Sequence, residues 1–117
     1  MREVNRCVVI LKAKQPFLDW LKQLPDPVEA DMTLQEIHDD HTALLIPDFE
    51  DNDSARRFIY KSYAMLFAQE LESWWTNEPD WPQKRTLALF KEWFGVEVYS
   101  YVLDLDEKHS LEHLAES

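Results

Sequence analysis

The stretch Cys7-Val8-Val9-Ile10-Leu11 is apolar without a break and rich in β-branched side chains. A short run of that kind reads as a strand covered on both faces, so it sits at the centre of a sheet. Working outward, Pro16 opens a helix over Phe17 to Leu24, in which Phe17, Trp20, Leu21 and Leu24 recur at helical spacing while Asp19, Lys22 and Gln23 face the other way. Pro25 and Pro27 end it. Thr33-Leu34-Gln35-Glu36 matches a capping box, which predicts a short helix to about Asp40.

A second strand follows at Ala43-Leu44-Leu45-Ile46, stopped by Pro47. Asp53 or Ser54 then caps one long helix carrying Phe58, Ile59, Tyr63, Leu66, Phe67, Leu71 and Trp74. Helical spacing resumes from Gln83 to Phe94, and Gly95, the only glycine, falls at the C-terminal cap position. Val96 to Leu103 alternate as a third strand. Strand, helices, strand, helices, strand predicts an α/β (α+β) two-layer sandwich, a small three- to four-stranded sheet packed with helices. Residues 1–103 form one globular domain, and 104–117 form a polar tail or short helix.

Charge is distributed unevenly. Between Lys22 and Arg56 there is no lysine or arginine but ten carboxylates, which supply −10 of the formal charge of −11. A one-signed field of that kind repels nucleic-acid phosphates and anionic membranes and favours basic protein surfaces or divalent cations. The hydrophobic content of 45% excludes a disordered acidic tail. One cysteine, Cys7, excludes an internal disulfide framework, and the absence of a leader-like segment or membrane-length apolar run predicts a soluble cytoplasmic protein.

One glycine also removes reaction classes, since Walker A, dinucleotide and nucleophile-elbow motifs all need several. His38-Asp39-Asp40-His41 is the densest set of metal-type donors, with His38 and His41 one helical turn apart and Asp48 able to fold back towards them. A divalent-metal protein or small metal-dependent enzyme built on His38, His41 and Asp48 is therefore the alternative function; the competing reading makes His41 a core-rim residue. His109-Ser110-Leu111-Glu112-His113 spells H-x-x-E-H, yet a domain of 117 residues lacks the cleft of a zinc peptidase. Asp48 to Asp53 fails as a calcium loop, because Asp53 stands where glycine is required and Ile59 where the bidentate glutamate belongs.

Trp74, Trp75 and Trp81 surround a second stretch without basic residues, Glu70 to Asp80. Adjacent helical positions point about 100° apart, so Trp74 and Trp75 cannot both be buried easily. An exposed indole among carboxylates suits a lysine- or arginine-bearing partner; alternatively Trp75 and Trp81 staple the following loop to the core. The leading expectation is a non-enzymatic binding or regulatory module that docks a basic protein surface through Asp26, Glu29, Asp31, Glu36, Trp74 and Trp75. A homodimer joined through the aromatic face is a further alternative.

The series Pro16-Phe17-Leu18-Asp19-Trp20-Leu21, Leu45-Ile46-Pro47, Glu70-Leu71-Glu72-Ser73-Trp74, Trp81-Pro82 and Phe90-Lys91-Glu92-Trp93-Phe94 resembles a family of small acidic proteobacterial proteins with no assigned activity. The resemblance implies a bacterial cytoplasmic origin and, resting on packing residues and turn prolines, transfers no functional residue.

Overall fold

A computed structural model describes residues 1–39 and 41–115. The chain runs β1 (Arg2–Glu3), β2 (Arg6–Ala13), α1 (Gln15–Lys22), α2 (Leu34–His38), β3 (Thr42–Pro47), α3 (Asn52–Lys61), α4 (Tyr63–Trp74), a 3₁₀ turn (Glu78–Asp80), α5 (Leu87–Trp93), β4 (Phe94–Tyr99) and β5 (Leu103–Asp104). Two antiparallel sheets result, one of three strands in the order β3-β2-β4 and a two-stranded ribbon of β1 and β5. This is an α+β fold.

The apolar run is the central strand, but it is not covered on both faces. Cys7, Val9, Leu11 and Ala13 point inward and are buried with the helices' apolar residues. Val8 and Ile10 point outward, only half-buried and outside that core. Register extends the two rows across the sheet. Leu44 and Ile46 of β3 and Val96 and Val98 of β4 join the inner layer, while Leu45 and Tyr99 stand beside Val8 on the outer one. Helices therefore cover one face of the sheet and leave the other open.

The inner layer is held by aromatic rings in tilted and edge contacts, which add to the free energy of burying their area. Phe17 lies 5.3 Å from Phe94 and 6.1 Å from Trp93, and Phe67 lies 5.4 Å from Trp93 and 5.8 Å from Phe90.

Three local expectations need correction. The long helix is two helices, divided at Ser62, which lets α3 run along β4 while α4 packs on α5; serine competes for backbone bonds and is a weak helix-interior residue. Its cap is Asp51, whose carboxylate accepts the Ser54 N–H at 2.7 Å. Gly95 caps nothing: α5 passes directly into β4 at Phe94, and Gly95 sits in the strand opposite Lys12 without a positive φ. The third strand stops at Tyr99, and Leu103–Asp104 pairs instead with the N-terminal β1. Residues 105–115 contain neither helix nor strand.

Candidate functional site

The acidic segment divides around β3. Since β2 and β3 pair from Arg6↔Pro47 to Leu11↔Thr42, residues before Thr42 and residues after Pro47 lie at opposite ends of the strand, roughly 17 Å apart at about 3.3 Å per residue. Asp48, Glu50, Asp51 and Asp53 occupy one end, beside the start of α3. Asp51 accepts both the Ser54 amide and the Ser54 hydroxyl, and these bonds hold its carboxyl below the usual range. Asp48 approaches the buried Cys7 sulfur at 3.9 Å.

Asp26, Glu29, Asp31 and Glu36 lie on the connection between α1 and α2 and on α2 itself. All four are exposed, and none forms an ion pair with a described residue. Thr33 caps α2 by accepting the Glu36 N–H at 3.3 Å, which orders the end of this connection and leaves the Glu36 carboxylate facing outward.

Alongside, α1 and the 3₁₀ turn form a shallow depression of about 430 Å³ with Trp20, Trp81 and Trp93 at its floor and Asp19 and Asp80 at its rim. Asp80 organises it. The Asp80 carbonyl accepts the Trp20 indole N–H at 3.0 Å, and its carboxylate accepts those of Trp75 at 2.9 Å and the Asn77 amide at 2.7 Å. Trp81 in turn donates to the Trp75 carbonyl at 2.7 Å. Trp75 and Trp81 therefore staple this loop. Trp74, 39% exposed, lies against the rim of the core instead, with its ring 6.2 Å from Phe17. The Arg85 guanidinium rests over the Trp81 ring at 5.6 Å, a cation–π contact made within the chain.

The two histidines are close together. Their rings are 5.0 Å apart, and His38 donates its Nε2–H to the Ala13 carbonyl at 2.7 Å. That bond uses one of the nitrogens a metal would need. Asp48 is at the far end of β3 and cannot join them. Among the described residues no three His, Cys, Asp or Glu side chains are placed to hold a metal ion; Asp40 of the His-Asp-Asp-His run lies outside those residues.

His41 meets a different partner. Its Nε2 is fully buried without a hydrogen bond among the described residues, and it lines a cavity of about 20 Å³ with Thr42, Glu70 and Trp74. That volume accommodates one water molecule. Glu70 is only 9% exposed, and burial pushes its carboxyl above the ordinary glutamate range against the opposing pull of a Thr42 hydrogen bond. Glu70 and the His41 Nε2 thus line one small cavity that is too small to admit an organic substrate.

Of the residues singled out in the sequence, Asp26, Glu29 and Asp31 share one exposed connection that leads into α2 and Glu36, His38 and His41 share one corner, and Trp75 belongs to the Asp80 staple. The terminal H-x-x-E-H run is not helical, and the His109 ring bonds Asp106 at 2.9 Å. Sequence reasoning missed Trp20, Trp93 and Asp80 as a surface, and Glu70 as a buried group. The spacing of α1 places Trp20 on its buried stripe, and only the packed structure shows that ring's edge reaching the surface. Asp80 did carry a signal, because a carboxylate enclosed by Trp75, Asn77 and Trp81 is well placed to collect indole N–H groups. No helix among the described residues is long and apolar enough to cross a membrane. Set against protein-family models, curated proteins and solved structures, the chain matches none of them.

Proposed function

We propose that this protein is a small cytoplasmic, non-enzymatic binding module that docks an arginine-bearing basic protein surface through the α1–α2 connection and the tryptophan-floored depression beside it. The observation that carries this reading is the state of Asp26, Glu29, Asp31 and Glu36: four exposed carboxylates, three on the α1–α2 connection and one in the first turn of α2, unpaired among the described residues. Charge that is unused internally remains available to a partner. The depression adds what carboxylates alone lack, an aromatic floor with the Asp19 carboxylate at its edge, which suits a planar guanidinium better than a compact ammonium. The field excludes direct nucleic-acid binding by the same argument, since aromatic stacking of bases needs cations interleaved with the rings.

The test is titration with a short arginine-glycine peptide, read by tryptophan fluorescence at low and moderate salt. Wild type should bind more weakly as salt rises, since exposed charges are screened over about 8 Å at physiological ionic strength. A variant carrying Asp26→Asn, Glu29→Gln, Asp31→Asn and Glu36→Gln should lose at least tenfold in affinity, and a lysine-glycine peptide should bind less well than the arginine one. Equal binding by wild type and variant rejects the proposal. With that established, affinity capture from a bacterial lysate using the same two proteins identifies the natural partner.

A further inference from the structure

The corner where α2 meets the sheet is anchored directly at His38, whereas the His41 Nε2 makes no hydrogen bond to a described residue. The register Leu11↔Thr42 puts His41 one residue beyond the end of the β2–β3 ladder. Against it α4 brings Glu70 and Trp74, which are four residues apart and so lie on one helical face. Leu11, Ala13, Phe17 and Ile37 complete the wall of the cavity these side chains share. An apolar wall alone would keep such a space dry. Three polar groups change that.

Each has bonding capacity to spare. The His41 Nε2 is fully buried, and an atom shut off from bulk water without a partner loses the hydrogen bond it made in the unfolded chain. Thr42 spends its one hydroxyl proton on Glu70 and keeps its lone pairs. Glu70 has two carboxyl oxygens, and the cost of burying them exceeds what the Thr42 bond returns.

Size and charge choose the occupant. At about 20 Å³ the cavity exceeds the about 10–15 Å³ that one water molecule requires and is too small for an organic ligand. An anion would face the Glu70 carboxylate, and a metal ion would need a third donor that the described residues do not place there.

We infer that this cavity is a binding site for a single water molecule that bridges the His41 Nε2, the Glu70 carboxyl group and the Thr42 hydroxyl, tying the entry of β3 to α4. Water both donates and accepts, so it serves either tautomer of His41 and either charge state of Glu70. The two histidines then hold one corner in two ways, His38 directly on the Ala13 carbonyl at 2.7 Å and His41 through the water. The α1–α2 carboxylates take no part, so the inference stands apart from the proposed docking function.

Water-oxygen magnetic relaxation dispersion counts the long-lived internal waters of the full chain, and far-ultraviolet circular dichroism checks that each variant is folded. Glu70→Leu and His41→Phe keep most of each side chain's bulk and remove its polar atoms, so each should lose one such water relative to wild type. Glu70→Gln, which still donates and accepts, should keep it. In a double-mutant cycle at pH 7, the two apolar substitutions together should change the unfolding constant about fivefold less than the product of their separate changes. An unaltered water count in both apolar variants overturns the inference, as do additive effects in the cycle. Loss of the water in only one of them also overturns it, because the water would then sit on one side chain alone. Water-to-protein cross-relaxation in the wild type, expected at the His41 and Trp74 rings, needs no variant, and its absence overturns the inference by itself.

Discussion

The carboxylates at the two ends of β3 look alike in sequence and differ in use. After Pro47, Asp51 is bound to Ser54 and starts α3, Asp53 sits in that helix's first turn, where its dipole favours negative charge, and Asp48 lies against Cys7. Before Thr42, Asp26, Glu29, Asp31 and Glu36 accept no bond through their side chains from any described residue and stand in solvent. These seven like charges are thus two populations, one engaged at the start of α3 and against Cys7 and one unspent.

The strongest challenge to this division is Asp80, a carboxylate used wholly inside the molecule. Asp80→Ala leaves the Trp75 indole N–H and the exposed Asn77 amide without their acceptor and should cost about 2 kcal/mol, since the partly buried Trp75 donor loses a bond to a charged acceptor without regaining water. Thermal unfolding measures it, and a change under 0.5 kcal/mol would place Asp80 among the unspent charges.

Glu70 carries the opposite sign. Its carboxyl is raised by burial, so the folded state holds the proton more tightly than the unfolded chain. The stabilisation is fully present below the unfolded pKa and is lost as pH rises through the folded one. At neutral pH the buried charge is therefore a cost, and Glu70→Gln, which keeps the shape, should stabilise the protein by about 1 kcal/mol at pH 7. The gain should vanish at acid pH. A Glu70→Gln variant less stable than wild type at pH 7 would mean that the ionised carboxylate is fully satisfied beside Thr42 and His41.

Asp51 gives a smaller effect. Removing the cap with Asp51→Ala should lower Tm by a few degrees, while Asp51→Asn, which still accepts the Ser54 amide, should recover most of the loss. Its pH dependence runs opposite to that of Glu70. The folded pKa is lowered, so the contribution is present above the unfolded pKa and disappears as pH falls through the folded value, and wild type and Asp51→Ala should converge in acid.

The layers of this fold were legible because hydrophobic period is a local signal. Cys7 to Leu11 identified the central strand, and the spacings of Phe17, Trp20, Leu21 and of Phe90, Trp93, Phe94 identified helices against it. What stayed hidden depended on partners distant in sequence. An unbroken apolar run could not show that Val8 and Ile10 face no helix, because their cover is a question of which side α1 to α5 occupy. Gly95 satisfied the pattern for a cap, but α5 passes directly into β4. Asp48 could be imagined beside His38 and His41 until the register of β2 and β3 put a whole strand between them. Glu70 read as one more surface acid among Glu72, Glu78 and Asp80, and only the fold brings Thr42 and His41 against it.

The smallest expected change in stability is the most informative about function. Amidating Asp26, Glu29, Asp31 and Glu36 together removes four charges, and if all four are unspent the protein has nothing to lose. Each single surface substitution of this kind falls within about 0.5 kcal/mol, and removing like charges from a chain at −11 relieves repulsion. Wild type and the quadruple variant should therefore unfold within about 0.5 kcal/mol of one another at moderate salt, the variant gaining slightly as salt is lowered. A loss of more than 1 kcal/mol would show that these carboxylates hold the α1–α2 connection in place, and any weakened binding by the variant would then follow from a disordered loop. Unchanged stability together with lost affinity for the arginine peptide separates recognition from folding, the division that the two ends of β3 imply.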